Sequence, residues 1–373
     1  MKKICILGIG NAQLDAINYC KEKGYKVYAC SYNDQGRDKA ELDDFKIIDI
    51  KDIEGVKKYV IDNKIDIVYS VGSDIAMPTV AKVSEELNLP HFITYETAQI
   101  CQNKYQLRKV LGEDFEGNVK FKLIKSKDEI DEWREYPAIL KPVDSQGQRG
   151  VRLINNKIEF EKYFDDSMSY SVRKELIIEE YIDGPEVSVN AFAVNGEVIF
   201  ALVSDRIVFE DLPGGIIKEH VVPTSFCSAD VEKKVREIAI SVMNKLGILN
   251  GPAYFQIKIM NGVPKIIEVT PRLDGCHMWN LIKHYTGVNL LSMTLDYLMR
   301  DLDVDFNEVR GKDLLKNEPK TLKFLCEETG VKYNREKYNV DKAEYLQWYY
   351  ENGDIVKKIN GYMEKGGYII EKI

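Results

Sequence analysis

The sequence has no apolar run approaching the roughly 20 residues that span a bilayer, so no membrane helix is expected. It has no basic tract either. Lysine and arginine number 52 against 60 acidic residues, a formal charge of −8, and an acidic chain is a poor general binder of nucleic acid. No CxxC pair occurs. The seven cysteines (Cys5, Cys20, Cys30, Cys101, Cys227, Cys276 and Cys326) are odd in number and widely spaced. They read as free thiols in a reducing cytoplasm, not as a disulfide frame or zinc site. There is no GxxxxGK[ST] loop, no internal repeat and no class I synthetase His motif. The apolar start at residues 4–7 stops at Gly8, too short for a secretory signal and suited to a first buried strand.

What is present is a well-mixed chain. Hydrophobic residues make up 45% and charged residues 30% of 373, which fits folded cores and two or three domains. Residues 3–95 alternate apolar and amphipathic runs. Strands are expected at 4–7, 27–30, 45–48 and 67–70, with helices at 11–23, 53–63 and 78–87. This rhythm predicts a parallel sheet covered on both faces.

The first turn reads Gly8-Ile-Gly10-Asn-Ala-Gln13, GxGxxQ instead of the GxGxxG of dinucleotide binders. Asp34 stands about where such a site wants an acid, so an NAD reading stays open. The alternative is a tight turn whose helix N-terminus holds a substrate anion. Gly72-Ser73-Asp74 follows another strand at the same sheet edge, as a second pocket wall or a plain helix cap.

Residues 97–116 read as helix, with Lys104 near the start of the amphipathic part. Strand 138–142 carries Lys141 inside an apolar run, where an ammonium needs a partner. The loop 143–150, Val-Asp-Ser-Gln-Gly-Gln-Arg-Gly, then leads to a strand at 151–154. It is either an ordinary hairpin loop or a flap whose backbone N–H groups cover phosphates. Strand 177–182 stops at Asp183-Gly184-Pro185. Residues 186–194 and 198–203 form a hairpin about Asn195-Gly196, and 254–260 and 264–269 another about Asn261-Gly262. The sheet from about residue 167 onward is therefore expected to be largely antiparallel, with helices at 230–246 and 278–285.

The stretch 264–272 ends an apolar strand in Glu268, Thr270 and Arg272 at alternate positions, so the three can share a face. A carboxylate, a hydroxyl and a guanidinium together suit a hard divalent cation bridging phosphate oxygens; a surface salt bridge at a strand end is the plain alternative. Burial of Phe255, Ile257, Ile259, Ile267 and Val269 on one face favours Gln256 opposite Glu268. That register requires a three-residue turn at 261–263 or an equivalent bulge. Toward the C-terminus, strands are expected at 320–325 and 367–371 and a helix at 344–350.

Taken together, these pieces resemble the ATP-grasp superfamily, in particular its carbamoyl-phosphate-synthetase-like and L-amino-acid-ligase branches. The resemblance covers roughly residues 3–300. It implies an α/β plus α+β architecture: a Rossmann-like parallel domain at 1–96, an ATP-grasp fold of two antiparallel α+β subdomains at 97–302 (small flap subdomain about 115–182), and a small C-terminal domain at 303–373. It implies ATP with Mg²⁺ (Mn²⁺ as an alternative) as cofactors. Lys104 and Lys141 match the phosphate lysines, and Ser145, Gln146 and Gly147 the flap. Glu179, Glu180 and Ile182 match the adenine hinge, with Glu179 near the adenine amino group. Glu186 matches the ribose carboxylate, and Gln256 and Glu268 the metal ligands. Thr270 stands where the family usually has Asn, which puts a second metal in question. Arg272 matches the phosphate-facing arginine and, with Lys141, is the expected catalytic pair.

Arg206 and His220 fall where such ligases keep a substrate loop, and Asp274 and His277 where an acyl acceptor would lie. The implied activity is ATP-dependent carboxylate–amine ligation through an acylphosphate, with small-molecule carboxylate and amine partners and no nucleic acid or membrane. A cytoplasmic location is expected and a homodimer is an open reading. An ATP-dependent carboxylase, a purine-pathway ligase or a non-catalytic nucleotide-binding protein are the alternatives.

Overall fold

Continuous apolar runs in the first domain do what buried parallel strands require. Ile4, Cys5, Ile6 and Leu7 are all fully buried within Lys3–Leu7, which pairs in parallel with Lys26–Ser31 and Ile67–Tyr69. Asp44–Ile47 adds to the Lys26–Ser31 edge, completing a four-stranded sheet. The fold is seen in a computed structural model that describes residues 1–34, 39–212, 215–299, 306–310, 317–358 and 363–373. Gly8 takes φ 99°, as its tight turn demands. Gln13 then closes the turn: its Oε1 accepts from the Gly10 N–H at 2.9 Å and its Nε2 donates to the Val71 carbonyl. The helix N-terminus that an anion would use is thus partly filled by the chain's own glutamine.

The expected helix at 97–116 is two helices, Tyr95–Gln102 and Lys104–Leu111. Asn103 breaks it, because its side chain accepts from Gln106 N–H and starts a new helix. The Lys104 amide is left to bond the Val143 carbonyl, at 3.0 Å. This break aims Lys104 at the loop 143–150.

Two antiparallel sheets follow. The smaller has the order Phe121–Ile124, Leu176–Glu180, Ala138–Pro142, Arg152–Ile154 and its own apolar core around Ile124, Leu140, Phe160 and Ile178. The larger has eight strands, in the order Val263–Thr270, Gly251–Met260, Glu186–Val194, Glu197–Val208, Ile217–Val222, Lys320–Glu328, Met363–Lys372, Ala343–Trp348. Asn195 and Gly196 both have positive φ, the two-residue turn expected from their sequence.

The last three strands extend this sheet instead of making one of their own. Residues 344–350, expected as helix, lie mostly in the edge strand Ala343–Trp348. Aromatic and β-prone residues decide this: Tyr345 packs on Tyr368 at 5.5 Å and edge-on to His284 at 5.6 Å, so pairing overrides helical spacing. The expected domain boundary at 302/303 lies outside the described residues.

Candidate active site

Residues from both antiparallel sheets line one cavity of about 480 Å³. Lys104, Lys141, Ser145, Gln146, Gly147, Glu179, Glu180, Ile182, Glu186, Arg206, Gln256, Glu268 and Thr270 all face it. Arg272, His220 and His277 do not line it.

The floor is built from charges with fixed partners. Lys141 sits in an apolar strand, 6% exposed, and its ammonium meets Glu179 Oε2 at 2.6 Å. Glu179 Oε1 accepts from Arg108 Nε at 2.9 Å. Burial alone would raise the Glu179 pKa, but Arg108 and Lys141 hold it down to about 2. Lys141 is also shifted down, by burial and by the Arg108 charge, which Glu179 only partly offsets. One carboxylate shared by two cations stays ionised and leaves positive charge in surplus toward the cavity. The expected reading of Glu179 at the adenine amino group is therefore corrected. Its oxygens are engaged by Arg108 and Lys141, so it anchors cations.

Arg108 is the residue the sequence reading missed. It is 1% exposed and also donates to the Ile266 carbonyl at 2.6 Å. Its spacing of four from Lys104 on an amphipathic helix was the available signal, since both then share a face. Lys104 donates to the Ser145 carbonyl at 2.6 Å, tying its helix to the loop 143–150. Burial, with Lys141 alongside, lowers its pKa to about 8.

The metal-type ligands come together through a bulge. Met260 pairs with Val263 across a two-residue turn, so the three-residue turn does not form. The register shifts between Gln256 and Ile257, and Gln256 still lies opposite Glu268. The extra residue, Ile267, faces the cavity, and Ile266 fills the core at 0% exposure.

Glu268 stands exposed at the cavity. Protein on its other sides raises its pKa, and Asp74 adds to this, while Arg272, Lys104 and Lys141 pull it back. Among the described residues no cation pairs with Glu268 directly. Thr270 is 3% exposed and its hydroxyl oxygen has no protein partner. A carboxylate, an amide and an orphaned hydroxyl on one face of this hairpin are hard oxygen donors, and they fit a magnesium ion.

Around this core, Glu186 pairs with Arg206. Arg272 differs from the expectation. Its guanidinium makes two bonds to Asp74, 2.6 and 2.7 Å, and one to the Leu273 carbonyl, 2.8 Å. Asp74, from the first domain, lines the cavity in its place. The bidentate fork explains why: a buried guanidinium takes the nearest carboxylate.

The loops at Gly72 and Gly275 meet closely here, since a Cβ on Gly72 would lie 2.6 Å from Gly275 Cα. His277 is also a correction. Its ring bonds Asp15 at 2.8 Å and the Tyr349 hydroxyl at 2.6 Å, and stacks on Tyr368 at 4.6 Å. It ties three parts of the chain together away from the cavity. His220 lies deeper, at 0% exposure on the same sheet face as Arg206.

Comparisons agree with this geometry. The ATP-grasp domain family model matches residues 134–279. An ATP-grasp enzyme, fsqD, of Aspergillus fumigatus is 28% identical over 194 residues, 46% of this chain and 32% of that protein. Dapdiamide A synthase of Enterobacter agglomerans is 23% identical over 215 residues, 55% of this chain and 50% of that one. The chain thus spans a third to a half of these curated relatives' lengths. The crystal structure of an L-amino acid ligase from Bacillus licheniformis superposes with TM-score 0.81 at 18% identity, covering 100% of this chain and 93% of that one. Phosphoribosylglycinamide synthetase from Anaerococcus prevotii gives 0.78 at 20%, covering 100% and 94%. Among the described residues no helix is long and apolar enough to cross a membrane. With two antiparallel sheets around one cationic cavity beside a parallel sheet, and with the ATP-grasp domain model matched over residues 134–279, this chain is similar to ATP-grasp enzymes in fold and in that central segment.

Proposed function

We propose that this protein is an ATP-dependent carboxylate–amine ligase that forms an acylphosphate and releases ADP and phosphate. One observation carries the reading. Gln256 and Glu268, paired across their hairpin, face the same cavity as Lys104 and Lys141. Only a ligand rich in negative charge uses that combination fully. Glu180 and Ile182 offer backbone to a base edge, and Glu186 a carboxylate to ribose hydroxyls.

Gln256, Glu268 and Thr270 would hold magnesium, which when bound neutralises phosphate charge and orients the terminal phosphoryl group. The chain's own residues do the rest. Lys104 and Lys141 stabilise negative charge on the transferring group without reorganising, because Glu179 and Ser145 already fix them. Arg272, held by Asp74, fixes the part of the cavity wall that Asp74 lines. The loop 144–150 closes over the phosphates and keeps water from the acylphosphate. A substrate carboxylate oxygen attacks the terminal phosphorus and ADP leaves. The amine nitrogen then attacks the acyl carbon, the bond to phosphate oxygen breaks, and one proton is released overall. No side-chain nucleophile is needed.

The test is a screen of phosphate release over pairs of L-amino acids with ATP and magnesium. The expected result is release that depends on both partners for at least one pair. ATP binding by thermal shift without release for any pair would favour a non-catalytic nucleotide-binding protein.

A further inference from the structure

The hairpin of Gly251–Met260 and Val263–Thr270 carries one residue more than its turn allows. With Met260 paired to Val263, unbroken pairing would set Gln256 opposite Ile267 and Phe255 opposite Glu268. Phe255 is fully buried, so that register would turn the Glu268 carboxylate into the apolar core. The observed pairs avoid this. Ile257 lies opposite Ile266 and Phe255 opposite Val269, all four fully buried, and Gln256 lies opposite Glu268 between them. Ile267 is left unpaired across the hairpin and lies on the cavity face beside Glu268. The bulge keeps the core on one face and both proposed magnesium ligands on the other.

What holds the extra residue lies on the strand's outer edge. In a regular antiparallel strand the carbonyls of successive residues point to opposite edges. The Ile266 N–H donates to the Gly117 carbonyl at 2.8 Å, and the Ile266 carbonyl accepts from Arg108 Nη1 at 2.6 Å. Ile266 thus turns its backbone outward, and a regular strand would turn the Ile267 carbonyl inward to Gly251–Met260. Instead it accepts from Arg108 Nη2 at 3.3 Å. Two consecutive carbonyls converge on one guanidinium.

The other donors of Arg108 are also engaged. Nε donates to Glu179 Oε1 at 2.9 Å, Nη2 to Glu179 Oε2 at 3.3 Å and Nη1 to Asn118 Oδ1 at 3.4 Å. A guanidinium has five N–H groups, and here each meets an acceptor. The carboxylate it holds is the one that meets Lys141, and its own helix begins with Lys104.

We propose that Arg108 is a positioning residue that holds the bulge at Ile267 and so keeps Gln256 and Glu268 together as magnesium ligands. The inference rests on the magnesium–nucleotide part of the reading above. A plain buried ion pair with Glu179 is the competing role, and it would need neither carbonyl. Lysine separates the two. It has three donors and no planar fork, so it can answer Glu179 but cannot reproduce the fork across both carbonyls.

The test is ADP binding to the purified full chain, measured by calorimetry over a range of magnesium concentrations. No carboxylate or amine is needed. Arg108→Lys should raise the magnesium concentration for half-maximal ADP binding tenfold or more, and leave the affinity for ADP without magnesium within threefold. A second variant removes the need for the bulge. Deleting Ile267 leaves Met260–Val263, Ile257–Ile266, Gln256–Glu268 and Phe255–Val269 as unbroken pairs. In that background, as in a double-mutant cycle, Arg108→Lys should change the magnesium requirement by less than twofold.

Folding of Arg108→Lys only in the deletion background would also support the assignment. A folded Arg108→Lys protein with the parent's magnesium requirement would overturn it. So would an equal shift in both backgrounds, because the arginine would then act through Glu179 alone. Loss of magnesium-dependent binding in the deletion variant itself, or failure of Arg108→Lys to fold in either background, would overturn it as well. ADP binding by the parent that ignores magnesium would remove the magnesium site and this inference with it. Magnesium-dependent binding without ligation would fault only the ligase chemistry.

Discussion

The two ends of one sheet face are built on opposite plans. At the end proposed for the nucleotide most charges have a protein partner: Lys141 and Arg108 on Glu179, Arg272 on Asp74, Arg206 on Glu186. At the inner end His220, Asp274, Ser204 and Asn190 carry polar atoms with none. The first plan suits a polyanion common to a whole family of enzymes. Its charges are set in advance and cost no reorganisation when the ligand arrives. The second leaves hydrogen bonds for the ligand to complete, which is how a site rejects molecules that lack the matching groups.

The largest effect expected from breaking this contrast is on stability at the paired end. Glu179→Ala would leave Arg108 and Lys141 buried beside each other without a counter-charge. Removing one partner of a buried pair costs about 3–5 kcal/mol, and urea denaturation should show a loss of that size. A loss under about 1 kcal/mol would mean that solvent already shields the pair.

The inner end is tested by acid. The His220 pKa is depressed by burial, to about 4 against an ordinary value of 6.5, with Asp274 raising it and Arg206 and Lys365 lowering it further. Between those two values the unfolded chain binds a proton that the folded chain refuses. The stabilising contribution is therefore complete above pH 6.5 and is lost as pH falls toward 4, by about 3 kcal/mol in all. His220→Gln should flatten that part of the stability curve. An unchanged slope in the variant would show that the ring is charged or solvated in the folded protein.

Thr270 lies where the two plans meet, and the effect there is the smallest. Thr270→Val keeps the shape and removes a hydroxyl with no protein partner, so stability should change by under about 1 kcal/mol. The magnesium concentration for half-maximal nucleotide binding should rise severalfold. An unchanged magnesium requirement would remove Thr270 from the magnesium site.

The paired end was the more legible in the sequence, for a physical reason. Lys141 inside an apolar strand and Glu268 at the end of another violate local rules, and such violations mark function. The hairpins at Asn195-Gly196 and Asn261-Gly262 were legible from turn chemistry, and the first sheet from its βαβ rhythm. What failed depended on partners far along the chain. Arg272 is drawn to Asp74, and the aromatic packing of Tyr345 on Tyr368 makes residues 343–348 a strand. Residue spacing does not encode either pairing. The unpartnered inner side chains, Asn190, Ser204, His220 and Asp274, come from neighbouring strands and a loop, so their lack of partners shows only in three dimensions.

The central claim is that the paired charges act on the terminal phosphate of ATP. It is tested most directly by chromatography of the nucleotides during turnover, in the parent and in Glu268→Gln. Glu268 is the only carboxylate among the proposed magnesium ligands, and its loss should slow turnover roughly a thousandfold, about 4 kcal/mol of transition-state stabilisation. The account predicts ADP and phosphate formed in step with product by the parent, and nearly none by the variant. AMP and pyrophosphate formed in step with product, or a variant turning over within tenfold of the parent, would contradict it.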